Sequence, residues 1–127
     1  MGDFMKKYNK DIGSYGENLA IDYLVKKNYN LLAKNFRNRH GEIDLIFKES
    51  DTIIFIEVKS RYSYHFGLPR ESVTYFKQKQ IIYISNYFLY KYKLLNHNCR
   101  FDVIEIYFNK NNNSYYIEHI KDAFRPY

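Results

Sequence analysis

The chain has 127 residues, enough for one domain with a core of its own. Hydrophobic residues make up 46% and charged ones 27%, which excludes a disordered polyelectrolyte. The balance of 20 Lys+Arg against 14 Asp+Glu leaves +6 and favours a polyanionic partner, nucleic acid first among them.

The single cysteine, Cys99, excludes an internal disulfide. No apolar run approaches the ~20 residues of a membrane span, and Met1 to Asp11 is polar and charged, unlike a signal peptide. These features predict a cytoplasmic protein with one domain over 1–127. The 15 Tyr and 10 Phe accompany abundant Asn, Lys and Ile, so coding bias accounts for much of the aromatic content.

A first helix is expected from Asp11 or Ser14 to Lys27. Ser14 and Glu17 have capping-box spacing, and Leu19, Ala20, Tyr23 and Leu24 recur at helical intervals. Asn28 breaks it, and Tyr29 to Phe36 reads as a strand. Gly41 precedes a second strand, Glu42 to Phe47, and Thr52 to Lys59 is a third. Arg61 to Pro69 has no periodicity and reads as a loop. Glu71 to Lys93 is a long helix with Val73, Phe76, Ile81, Ile84, Phe88 and Tyr92 along an apolar stripe. Phe101 to Phe108 and Tyr115 to Ile120 are two further strands, joined by a polar loop over Asn109 to Ser114. The order helix, three strands, helix, two strands predicts an α/β fold, a mixed sheet flanked by helices.

The chemistry concentrates in the second and third strands. Ile53 to Ile56 are apolar on both faces, as in a buried central strand. Two opposite charges then follow, Glu57 and Lys59, and the period of two puts them on one face. Asp44 interrupts the second strand on the face of Ile46, although Asp has poor strand propensity. A two-residue turn at Ser50-Asp51, or a four-residue loop at Glu49 to Thr52, would set Asp44 directly opposite Glu57, whereas a three-residue loop or a bulge would stagger them. Two carboxylates that close share a proton or hold a cation. Mg²⁺ or Mn²⁺ with one or two carboxylates, and a lysine beside them, is a kit for phosphodiester hydrolysis. The competing reading is a hairpin ladder of ion pairs, Glu57 with Lys59 and Glu42 opposite Lys59, which contributes little.

The segments Gly41-Glu42-Ile43-Asp44-Leu45-Ile46 and Phe55-Ile56-Glu57-Val58-Lys59-Ser60-Arg61 resemble the YraN-like family of bacterial proteins. The resemblance extends to Gly16-Glu17 in the first helix, Asn35-Phe36-Arg37, Phe66-Gly67, Lys77-Gln78 and Arg100-Phe101-Asp102-Val103. That family is assigned by resemblance to the PD-(D/E)XK nuclease superfamily, alongside restriction endonucleases and archaeal Holliday-junction resolvases. The resemblance implies a restriction-endonuclease-like fold. It also implies metal ligands at Asp44 and Glu57, joined by the Val58 carbonyl and by Glu17, and a catalytic Lys59. Ile43 stands where the superfamily often has proline.

Arg37, Arg39, His40, Arg61 and Arg70 flank the acidic strands, and Lys77 and Gln78 sit on the second helix. All are candidates for phosphate contacts, with solvated surface as the plain alternative. Tyr62 and Tyr64 are candidates for base stacking. Asp102 pairs in sequence with Arg100 and reads as structural. The four histidines show no zinc spacing, and His65 alone sits in the expected loop. The functional expectation is a Mg²⁺- or Mn²⁺-dependent endonuclease acting on DNA, branched or damaged DNA included, with a homodimer compatible. The alternatives are a non-catalytic nucleic-acid-binding module of the same fold and a structural protein.

Overall fold

The computed structural model describes residues 2–62 and 73–126, with side chains from residue 12 onward. The elements are α1 (Gly2–Val25), β1 (Asn30–Asn38), β2 (Gly41–Glu49), β3 (Thr52–Tyr62), α2 (Tyr75–Lys91), β4 (Asn98–Phe108) and β5 (Tyr115–Phe124). The expected order is followed, with displaced boundaries. The five strands form one sheet in the order β1-β2-β3-β4-β5. Three neighbouring pairs are antiparallel, and β3 and β4 are parallel. Antiparallel neighbours close through short turns, whereas a parallel pair needs a crossover, which α2 provides.

Alternation along the strands places a helix on each face of the sheet. Ile81, Ile84, Phe88 and Leu89 of α2 pack with Ile46, Ile53, Phe55, Phe101 and Val103. Ala20 and Leu24 of α1 pack on the other face with Leu45, Phe47, Ile54, Ile56, Ile104 and Ile106. Ile53 to Ile56 are all buried, as a central strand covered on both faces requires.

Three boundaries differ from expectation for identifiable reasons. Ser14 lies inside α1 and cannot cap it, since the helix begins at Gly2. β3 continues through Arg61 and Tyr62, because β4 pairs with it from Thr52–Asn98 to Tyr62–Phe108. These two residues are strand rather than loop; the rest of the expected loop, with Tyr64 and His65, lies outside the described residues, as does Arg70. The second helix starts at Tyr75, capped by the Thr74 hydroxyl, which accepts from the Lys77 amide at 3.2 Å.

Two glycines fix how the helices meet the sheet. A Cβ at Gly16 would lie 1.8 Å from Ser60 Oγ, so a bare backbone lets α1 close onto β3. Gly41 has φ +143°, a conformation other residues rarely adopt, and a Cβ there would come within 3.2 Å of Ile84.

Candidate active site

β2 and β3 pair in register from Glu49–Thr52 to Leu45–Ile56, with a turn at Ser50-Asp51. Continued by one step, that register sets Asp44 against Glu57, but the ladder stops before it. β2 stays with β1 as far as Gly41, and β3 stays with β4. The two central strands part at this point. The Asp44 side chain enters the gap, and its Oδ2 accepts the Val58 amide at 2.8 Å. A carboxylate thus replaces the lost backbone acceptor, which satisfies the Val58 donor.

Glu57 stands beside this junction with its side chain only 14% exposed. Its Oε1 lies 3.8 Å from Lys77 Nζ on α2. Its Oε2 is buried and has no hydrogen-bond partner. Burial, and then the charge of Asp44, push the Glu57 carboxyl up to about 7, although Lys77 and Lys59 oppose the shift. Burial also raises Asp44; the Val58 amide and Lys77 offset this only in part.

Two further acids feel the same field. Glu17 of α1 is raised by burial and then by Asp44. Glu42 adds its charge to the shifts at Glu17, Asp44 and Glu57. Asn35 ties the outer pair together: with its amide nitrogen turned toward the acids, it donates to Glu42 Oε1 at 2.8 Å and Glu17 Oε1 at 3.2 Å. Asn35 is in β1 with φ +53°, a conformation that Asn tolerates better than most residues. Among the described residues, no three His, Cys, Asp or Glu side chains stand at the spacing of a metal centre. Asp44 and Glu57 are the close pair, and Glu17 remains anchored to Asn35.

The basic residues divide. Glu42 pairs with Arg37 at 3.1 Å across the β1–β2 hairpin, and Glu57 pairs with Lys77. The ladder of Glu42 opposite Lys59 is therefore replaced by other partners. Lys59 shares the Glu57 face, as the strand period requires, and its charge acts on Glu57. Arg39 is exposed and donates to His40 Nε2 at 3.4 Å. Arg61 extends the row on β3 beside Tyr107, whose phenol feels its charge. Gln78 donates to the Val73 carbonyl at 2.9 Å, which turns its amide onto the helix start. Tyr62 packs against Phe108 with Lys110 over its ring.

Glu105 and Tyr107 were not singled out from the sequence. They are the register partners of Lys59 and Arg61 on parallel β4, so all four share one face. Glu105 is buried and accepts a hydrogen bond from the Tyr107 hydroxyl. Its only sequence signal is an acid between two isoleucines in a strand.

Asp102 is structural, as read. It is buried and accepts Arg100 Nε at 2.8 Å and Nη2 at 2.9 Å, His119 Nε2 at 2.8 Å and the Asp122 amide at 2.9 Å. Burial works against ionisation, yet these donors outweigh it and hold its carboxyl below the usual range.

Residues 16–106 match the model of a family described as Uncharacterised protein family UPF0102. A UPF0102 protein of Clostridium botulinum (strain Alaska E43 / Type E3) is 58% identical over 121 residues, covering 95% of this chain and 99% of the relative. One from Clostridium perfringens (strain 13 / Type A) is 52% identical over 121 residues, covering 95% and 99%. One from Clostridium novyi (strain NT) is 48% identical over 120 residues, covering 94% and 100%.

Proposed function

We propose that this chain, which belongs to the UPF0102 family, is a Mg²⁺- or Mn²⁺-dependent endonuclease of the PD-(D/E)XK type that hydrolyses phosphodiester bonds in DNA. The observation that carries the reading is the pairing of Asp44 and Glu57 where β2 and β3 separate. One acid is aimed into the gap, and the other keeps a buried oxygen without a partner. A buried carboxylate oxygen left unpaired is costly, and a hard cation is its natural complement.

The donor set fits such a cation. Mg²⁺ is commonly held by one or two carboxylates, the remaining positions being water and substrate phosphate, so a third acid in contact is not required. Asp44 and Glu57 would hold it. The Val58 carbonyl is a third donor on the same edge, because N–H and C=O of one strand residue point the same way and its N–H points to Asp44. Glu17 adds negative charge from the α1 side, held by Asn35. A bound divalent ion supplies a more acidic water and a polarised phosphoryl oxygen.

The remaining work falls to the chain's own cations. Lys59 sits on the Glu57 face, where its ammonium stabilises charge growing on the phosphoryl oxygens as the bond to water forms and the bond to the leaving oxygen breaks. Arg37 and Lys77 contact Glu42 and Glu57, and with Arg39 and Arg61 they are suited to the flanking phosphates. A preference for branched or damaged DNA follows from fold analogy alone.

The test is plasmid and four-way-junction cleavage with Mg²⁺ or Mn²⁺. Wild type is expected to cleave, and Asp44→Ala and Lys59→Ala to lose on the order of 10²-fold or more. Cleavage at the wild-type rate by both variants would overturn the reading. The lack of a three-acid cluster among the described residues favours one rival, a binding module without catalysis. For that rival, wild type binds DNA and leaves it intact with either metal.

A further inference from the structure

We infer that the outer face of α2 is a stacking platform for unpaired nucleotides of a single-stranded nucleic acid. The inference rests on the proposed nuclease reading for its purpose, though not for the binding itself. α2 turns Ile81, Ile84, Phe88 and Leu89 to the sheet. Its opposite surface is aromatic where a solvated helix would be polar. Tyr75 is 62% exposed, Tyr83 57% and Tyr90 71%, with Phe76 and Tyr87 alongside. These positions recur at helical spacing, so the rings follow one another along the helix.

The charge on this helix decides between occupants. From Tyr75 to Lys91 there are three lysines, Lys77, Lys79 and Lys91, and no acid. Two of these cations lie against the rings: Lys79 Nζ is 5.1 Å from the Tyr75 centroid, and Lys91 Nζ is 6.0 Å from that of Tyr87. His40 meets Tyr83 edge-on at 4.5 Å. Aromatic faces interleaved with cations fit a strand that offers bases and phosphates in alternation. They fit a second copy of the same face poorly, because its lysines would oppose like charges.

The platform includes a recess. Tyr75, Lys79, Tyr83 and Asn86, at spacings of three and four along α2, face Arg125 and Pro126 of the C-terminal segment across a cavity of about 260 Å³. Arg125 is paired with Asp122, so the groups that would flank a flipped base are two phenol rings for its faces, the Asn86 amide for its edge and Lys79 for its phosphate. Lys77, which bridges to Glu57, is adjacent in chain to Gln78, another residue lining this recess.

The test is fluorescence anisotropy with a labelled oligo-dT of about 15 nucleotides, in EDTA so that nothing is cut. Wild type is expected to bind, and Tyr75→Ala/Tyr83→Ala to bind tenfold or more weakly. Tyr75→Phe/Tyr83→Phe, which keeps the rings, should remain within threefold of wild type. Thermal melting of both variants separates lost affinity from lost fold. Three results would overturn the inference. They are wild type that does not bind, a folded alanine variant that binds as wild type does, and a phenylalanine variant as weak as the alanine one. Sedimentation showing a wild-type dimer that the alanine variant dissociates would also overturn it, assigning the face to a second copy. Binding is read without metal, so wild type that binds but never cleaves with Mg²⁺ or Mn²⁺ removes the nuclease reading and supports the platform.

Discussion

Asp44 and Asp102 meet the same local problem. Each stands where a backbone ladder is interrupted, β2 from β3 for Asp44 and a β4–β5 irregularity for Asp102, and each carboxylate accepts an amide left without a strand partner. Their surroundings then separate them. Asp102 also receives a guanidinium in two places and an imidazole, so its acceptor capacity is filled and its charge favoured. Asp44 has one amide and a neighbouring acid, and its charge is disfavoured. A saturated aspartate holds structure, whereas an unsaturated pair of acids stores a cost that a cation can relieve. Glu57 shows the size of that cost. Its carboxyl is raised from an ordinary value near 4.5 to about 7, so the folded chain holds more protons than the unfolded chain across that window. Stability therefore falls as pH rises from about 4.5 to 7, by up to roughly 3 kcal/mol. Glu57→Gln, which cannot ionise, is expected to raise the melting temperature at pH 8 and to leave it nearly unchanged at pH 4. Denaturation of both proteins at the two pH values checks this; a variant less stable than wild type at pH 8 would contradict it. Asp44, Glu57 and Lys59 were legible in sequence because a charge in a buried strand breaks an apolar alternation. Asn35 and Glu105 were less so. One acts through a left-handed backbone, and the other through a parallel partner 46 positions away, neither of which leaves a local pattern.

The elements bring these side chains together through contacts that composition does not reveal. Glu17 can feel Asp44 only because α1 closes onto β3, and Gly16 is the point of closest approach. Alanine is normally the better helix residue, by about 1 kcal/mol over glycine. Here a Cβ would fall 1.8 Å from Ser60 Oγ and 3.1 Å from Ser60 Cβ, so overpacking outweighs propensity. Gly16→Ala is expected to destabilise by roughly 1–2 kcal/mol net. Ser60→Ala removes the clashing hydroxyl, itself buried without a partner, so the double variant should recover much of the loss. A double-mutant cycle by denaturant unfolding measures the coupling, and additive effects would show that the two positions do not meet. The helix itself was legible from Leu19, Ala20, Tyr23 and Leu24. Its start was not, because Ser14 and Glu17 have the spacing of a cap although Ser14 lies within the helix. The end of β3 was missed for a similar reason: Arg61 and Tyr62 carry no apolar alternation, and pairing with β4 holds them extended. Tertiary pairing overrides local signal at such edges.

At the scale of the whole molecule, α1 and α2 cover both faces of the sheet, and the parting of β2 and β3 brings the half-buried acids Asp44 and Glu57 together. None of the described helices is long and apolar enough to cross a membrane. Under the proposed reading, cation binding at the junction would be linked to protons, because the carboxyl that would hold the ion is half protonated near pH 7. Below that pH, each ion displaces a proton from Glu57, so Mn²⁺ affinity should drop about tenfold per pH unit and level off above pH ~7.5. Calorimetry in two buffers of different ionisation enthalpy should show close to one proton released per ion at pH 6 and almost none at pH 8.5. An ordinary exposed carboxylate would give a flat affinity down to pH ~5, since it is already ionised there. The same titration on Asp44→Asn separates site from surface. Loss of the neighbouring charge lets Glu57 ionise at lower pH, so the variant should bind Mn²⁺ more weakly at pH 8 and show a shallower pH dependence below 7. Equal curves for wild type and variant would mean that the two acids do not act on one ion, and the junction would then be only a place where strands part.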